Sequence, residues 1–191
     1  MKSICVFCSS SDSIDEVYFK TAIDLGCQIG DLKLDLVYGG GGIGLMGAVA
    51  RSVHKNGGRV VGVFPEFLRE KDEGFEYIEA DELIIAETMR IRKAIMDERA
   101  DAFIVLPGGI GTLEEAIEIM SMKQLGLTDK PLAFINTNNF YDSLFSSFQM
   151  MVGLKFAKSS ILDLFEVCPN PSSALEFILS YKSKKKDNKY L

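Results

Sequence analysis

At 191 residues, with a formal net charge of −6 and 47% hydrophobic residues, the chain is long enough to bury one core without staples. Its basic residues are spread rather than striped, which excludes the clustered basic face of a nucleic-acid binder. A single histidine excludes facial and zincin-type metal sets, and no apolar run reaches membrane-spanning length.

The elements follow in order. Residues 3–8 form a short apolar strand, and the Ser9-Ser10-Ser11-Asp12-Ser13 turn is suited to capping a helix over 15–30. A second strand at 33–38 leads through Gly39-Gly40-Gly41-Gly42-Ile43-Gly44-Leu45-Met46-Gly47 into a helix that stops at Gly57-Gly58. Residues 59–64 give a third strand. Residues 65–74 read as a charged loop near a site mouth, followed by a strand at 83–86 and a helix at 88–100. An apolar run from 101 then breaks at Pro107, and helical periodicity resumes to about residue 125. Strands at 132–136 and 165–168 and helices at 140–152 and 172–180 complete the chain, with a basic tail over 182–191 that is expected to be disordered. Strands that are continuous apolar runs, alternating with helices, predict an α/β fold: a mostly parallel sheet covered by helices on both faces.

Two turns could hold an anion. Pro107-Gly108-Gly109-Ile110-Gly111-Thr112 joins a buried strand to a helix start, where unpaired N–H groups and the helix dipole favour a phosphate. The same stretch also fits a capping box, Thr112 to Glu115, a purely structural role. The loop from Gly39 to Gly47 contains G-x-G-x-x-G twice, which keeps a dinucleotide site open, although it follows the second strand and its acidic partner is only Glu66. Arg92 begins a helix that must run antiparallel to the strand after it, so it belongs beside the PGGIGT turn unless it lies on a solvated basic face. His54 is expected to be exposed. Cys5 and Cys8, three apart on a strand, point to opposite faces and cannot easily share a metal. No G-x-S-x-G elbow and no Walker pattern occurs. The short N-terminal apolar stretch does not fit a signal peptide, so a cytoplasmic protein without membrane or nucleic-acid partners is expected.

The motifs Gly40-Gly41-Gly42-Ile43-Gly44-Leu45-Met46-Gly47, in near-complete form, and Pro107-Gly108-Gly109-Ile110-Gly111-Thr112-Leu113-Glu114-Glu115 resemble the GGGxxGLMG and PGGxGTxxE patterns of the Lonely Guy (LOG) family of cytokinin riboside 5′-monophosphate phosphoribohydrolases, often labelled lysine decarboxylases. The likeness runs from residue 1 to about 175. It implies a single Rossmann-like domain over 1–181 and a homodimer or higher homo-oligomer. It also implies catalytic roles for Arg92 and Glu115, with Glu114 and the turn of Gly108, Gly109, Gly111 and Thr112 holding the ribose phosphate. Lys93, Gly41, Gly42, Met89 and Ser121 complete the implied substrate-binding set. Arg90 and Ile91 stand where members commonly carry His and an acid, and Ser9 replaces a common glycine.

The expected activity is hydrolysis of the N-glycosidic bond of a purine nucleoside 5′-monophosphate, with no metal and no cofactor. A non-catalytic nucleotide carrier or sensor needs only the glycine loops, and a nicotinamide-dependent oxidoreductase is favoured only by the doubled G-x-G-x-x-G. A decarboxylase would require a pyridoxal-phosphate lysine, for which Lys93 is the sole candidate, already assigned to a phosphate by the resemblance. The apolar residues of the helix after the PGGIGT turn (Ile117, Ile119, Met120, Met122, Leu125) and of the later helix (Phe145, Phe148, Met150, Met151) exceed what one sheet face requires, which fits a dimer as well as a buried core.

Overall fold

A computed structural model describes residues 1–71 and 74–183. Among the described residues, seven strands alternate with seven helices: β1 (Ser3–Phe7), α1 (Glu16–Asp31), β2 (Asp35–Tyr38), α2 (Gly44–Lys55), β3 (Val60–Pro65), α3 (Glu66–Lys71), β4 (Glu82–Ala86), α4 (Met89–Arg99), β5 (Ala102–Val105), α5 (Ile110–Gln124), β6 (Leu132–Ile135), α6 (Asp142–Gly153), β7 (Glu166–Cys168) and α7 (Pro171–Ser180). All pairings are parallel, in the order β4-β3-β2-β1-β5-β6-β7. The interior strands β1, β3, β5 and β6 are buried along their whole length, and β2 from Leu36 on, because helices cover both faces.

Two cores result. One joins the sheet to α1, α2 and α7, the other to α4, α5 and α6. Strand alternation divides the cysteines as its period requires, with Cys5 in the second core and Cys8 in the first, both as free thiols. Helices α1 and α2 approach closely through small residues: a Cβ on Gly26 would stand 2.6 Å from the Val49 carbonyl oxygen. The chain runs outward from β1 to β4 and then resumes at β5 on β1's other side. Such a reversal opens a crevice at the carboxyl ends of the two strands.

The structure corrects several expectations. Residues 66–71 of the supposed charged loop are helix α3, with Glu66 in its first turn and Arg69 and Lys71 in its last, a distribution that complements the helix dipole; residues 72 and 73 lie outside the described residues. The serine-rich turn does not cap α1, since Asp15 is the N-cap and makes no side-chain cap bond. Asp12 reaches across instead and accepts from the Gly44 N–H at 2.8 Å. His54 is half-buried, hydrogen-bonded to Tyr77 and Asp81. Helix α6 starts two residues later than its periodicity suggests, after Asn138 and Asn139 turn through left-handed φ of 52° and 58°. On it Met150 and Met151 are exposed, but Phe148 is buried and Phe145 packs against the core. Of the basic tail, residues 184–191 lie outside the described residues. Among those described, no helix is long and apolar enough to cross a membrane.

Candidate active site

The turn after β5 is held from below. Tyr141, almost fully buried, donates its hydroxyl to the Leu106 carbonyl at 2.7 Å. Gly109 is the N-cap of α5, with φ −86° and ψ −158°, so Thr112 sits inside the first turn rather than at its start. That placement rules out the Thr112–Glu115 capping box. Thr112 is packed against Gly108 instead, where a Cβ would stand 2.2 Å from Thr112 Oγ1. The cap is a glycine with no side chain to offer, and the amides of Ile110, Gly111 and Thr112 have no hydrogen-bond partner among the described residues. The first amide to be satisfied is Leu113, which donates to the Gly109 carbonyl at 3.0 Å.

The other glycine turn is already occupied. Gly44 N–H goes to Asp12 Oδ1, and Leu45 and Met46 N–H both go to the Ser9 carbonyl at 3.0 and 3.3 Å. Gly42 N–H is taken by the Phe75 carbonyl at 2.7 Å. A G-x-G-x-x-G dinucleotide site needs these donors for a pyrophosphate. Here the chain itself has consumed them, whereas the first-turn amides of α5 are left without a partner among the described residues.

Arg92 comes from the first turn of α4 and is 4% exposed. Its Nε donates to the Val63 carbonyl at 2.9 Å and its Nη1 to Glu115 Oε1 at 2.7 Å. Helix α4 therefore delivers the guanidinium to the turn after β5, as its antiparallel run requires. Glu115 is 6% exposed. Burial pushes its carboxyl above the ordinary glutamate value, and the adjacent guanidinium pulls it part of the way back. A carboxylate in that balance can exchange a proton with a bound molecule.

These groups share one cavity of about 520 Å³ at the switch point. Of the residues expected in a site, Arg92, Glu115, Gly109, Gly111, Thr112, Gly41 and Met89 line it; Gly42, Gly108, Lys93, Glu114 and Ser121 do not. Gly108 carries the packing of Thr112. The Lys93 ammonium is held by Glu114 and, at 2.8 Å, by Glu118. Burial works against its charge, but the two carboxylates outweigh that and keep its pKa above the ordinary lysine value. Lys93 lines a separate cavity of about 190 Å³ with Arg90, Asp97 and Glu98, and Glu115 forms part of both walls. Ser121 is exposed three turns along α5.

The rest of the large cavity is an apolar wall that motif reading did not find: Ile43, Met46, Phe64, Pro65, Leu68 and Phe75, from four different segments. Only Ile43 and Met46 lie inside a recognisable pattern. Ser9, Ser10 and Ser11 line it as well, brought in because Asp12 and Ser9 tie their turn to the start of α2.

The chain is similar to known proteins in sequence and in fold. Residues 46–178 match the family model described as "Possible lysine decarboxylase". Two cytokinin riboside 5′-monophosphate phosphoribohydrolases of Arabidopsis thaliana are 39% identical over 97% of this chain and 86% of the relative, and 41% identical over 95% of this chain and 78% of the relative. The molybdenum cofactor binding protein of Rippkaea orientalis superposes with a TM-score of 0.70 over 94% of this chain and 97% of that one, at 22% identity, a likeness of fold alone. With identity near 40% along almost its whole length, and with both glycine motifs on one crevice, the chain belongs to the LOG family of cytokinin riboside 5′-monophosphate phosphoribohydrolases.

Proposed function

We propose that the protein hydrolyses the N-glycosidic bond of a purine nucleoside 5′-monophosphate, the base being adenine or an N6-modified adenine, and releases free base and ribose 5-phosphate. The observation that carries this reading is the buried Arg92–Glu115 pair, which shares a cavity with the unpaired first-turn amides of α5. The amides and helix dipole bind the 5′-phosphate, which supplies remote binding energy. Glu115, ionised, takes a proton from water as its oxygen bonds to C1′. The C1′–N bond breaks as the carboxylate offsets the positive charge that builds on the sugar, and its electron pair leaves with the base, which takes up the proton Glu115 received from water. Arg92 orients Glu115 and the departing base. A cavity of about 520 Å³ falls within the range for small-molecule sites, roughly 300–1,000 Å³.

The decarboxylase description fits less well. A Schiff base needs a lysine that can lose its proton beside the substrate. No lysine lines the large cavity among the described residues, and Lys93 is held charged between Glu114 and Glu118. Incubation with AMP and with isopentenyladenosine monophosphate in EDTA, followed by chromatography for free base, tests the proposal. Base released from either supports it; AMP that binds and returns intact selects the carrier reading instead.

The active form is proposed to be a homodimer or higher homo-oligomer. Exposed Ile110 and Ile117 on α5, Leu125 at its C-cap, and Met150 and Met151 on α6 support this, since apolar and methionine-rich faces are common at subunit contacts.

A further inference from the structure

The wall residue Phe75 sits on a strap that is not part of the sheet. Its carbonyl accepts from Gly42 N–H at 2.7 Å, Tyr77 N–H donates to the Gly40 carbonyl at 2.8 Å, and Gly41 and Glu76 form an isolated antiparallel bridge. The strap thus crosses the glycine loop and presents Phe75 to the cavity. Behind it Tyr77 is 7% exposed and packed in the core. The Tyr77 hydroxyl lies between His54 Nδ1 at 2.9 Å and Glu79 Oε2 at 3.1 Å, with the His54 and Tyr77 rings 5.5 Å apart. His54 Nε2 is 2.8 Å from Asp81 Oδ2, and the same oxygen accepts from Val60 N–H at 2.7 Å. Hydrogen bonds therefore run from the first residue of β3 through Asp81 and His54 to the Tyr77 hydroxyl, on a residue two positions along the strap from Phe75.

From these contacts we infer that Tyr77, anchored by His54, is a positioning residue: it fixes Phe75 against the base end of the substrate while leaving the phosphate end untouched. The inference rests on the nucleotide reading above. Phe64 and Pro65 beside the strap belong to the end of β3, whereas Gly109 follows β5. The order β3-β2-β1-β5 separates those ends by three strand spacings, about 14 Å. A nucleotide lying along the strand ends, with its phosphate at α5, therefore carries its base toward Phe75. Among the described residues, no hydrogen bond of residues 75–77 reaches the α5 turn. The chain's only histidine, which motif reading leaves as an exposed surface residue, acquires a role in this way.

Tyr77→Phe removes the hydroxyl and keeps the packed ring. The expected result is a KM for AMP raised about five- to tenfold, the scale of one lost hydrogen bond, with kcat within about twofold. Inhibition by ribose 5-phosphate, which occupies only the phosphate and sugar end, should be unchanged. His54→Ala should reproduce the effect, and His54→Asn, whose amide can stand where Nδ1 stood, should recover most of it. Amide exchange at Gly42 and Tyr77 should accelerate in Tyr77→Phe, a readout independent of turnover. If wild-type protein releases no base, the hydrolase reading fails, and the dissociation constants of AMP and ribose 5-phosphate decide the positioning claim in its place. Equal weakening of AMP and ribose 5-phosphate, or exchange at Gly42 unchanged in Tyr77→Phe, overturns it.

Discussion

Arg92 reaches Glu115 only because position 39 has no side chain: a Cβ on Gly39 would stand 2.2 Å from Arg92 Nη2. The guanidinium cannot swing aside freely, since Nε is bonded to the Val63 carbonyl and Nη1 to Glu115. Gly39→Ala should therefore displace the guanidinium from Glu115 and lower kcat by about a hundredfold, the scale of a lost electrostatic group, in a protein that still folds. Steady-state kinetics and a melting curve on the same sample check this. Turnover at the wild-type rate would mean that the Arg92–Glu115 contact is not used in the reaction.

The pair itself gives a sharper contrast. Glu115→Gln keeps a hydrogen-bond acceptor for Arg92 but removes the base, so kcat should fall at least about a hundredfold. Arg92→Ala should lose a similar factor and also destabilise the fold by about 3–5 kcal/mol, because it strands a buried carboxylate. Unchanged turnover in Glu115→Gln would leave Glu115 a structural residue.

The pH dependence follows from the direction of each shift. Glu115 is raised by burial, so the acidic limb of kcat/KM should have its midpoint above the ordinary glutamate value of about 4.3, and Glu115→Gln should abolish that limb. For stability the sign is that of a raised group: the Glu115 contribution is fully present below the unfolded pKa and is lost as pH rises through the folded one. Asp81 and Glu82 are lowered, by the Val60 amide and by Arg99 respectively. Their contribution is present above ordinary carboxylate values and is lost as pH falls, so acid unfolding below about pH 4 should be steeper in the wild type than in Asp81→Asn.

Much of the fold was legible because apolar runs and glycine stops punctuate every βα unit, and the placement of Arg92 followed from one topological rule. The failures share a cause. Thr112 and Glu115 have the spacing of a capping box, but whether a helix starts at residue 110 or 113 depends on Gly109 and on the Tyr141 hydroxyl bonded beneath the turn, a contact 35 residues away in sequence. The partners of the first glycine turn, Asp12 and Ser9, are likewise distant in sequence. Phe75 and His54 carry no periodic or motif signal at all. They are functional candidates only once the strap is seen to cross the glycine loop.

Oligomeric state is directly measurable. Ile110 is 82% exposed on α5 and Leu125, at its C-cap, 64% exposed, more apolar surface than a monomer usually leaves uncovered. Light scattering at micromolar concentration should return at least twice the 21.1 kDa chain mass, and Leu125→Glu should shift the species toward monomer. A monomer mass for the unmodified protein removes the oligomer proposal.

The glycines of the α5 turn separate fold from ligand. A Cβ on Gly108 would collide with Thr112, whereas a Cβ on Gly109 or Gly111 would meet nothing within 4 Å. Gly109 has φ −86°, which any residue can adopt, so a side chain there strains nothing and simply occupies the volume beside the free amides. Gly108→Ala should therefore cost about 1–3 kcal/mol of stability by overpacking, and Gly109→Val should leave the melting temperature nearly unchanged. If the turn cradles a phosphate, Gly109→Val should lower kcat/KM for AMP by a large factor, since each lost charge-assisted hydrogen bond is worth about 1.5–3 kcal/mol. Adenosine lacks the phosphate and has already forfeited those bonds, so the same substitution should scarcely alter its poor use. The two losses should not add. A Gly109→Val protein that loses as much activity on adenosine as on AMP would show that the turn serves the sugar or the fold, and the phosphate would then have to be sought elsewhere in the cavity.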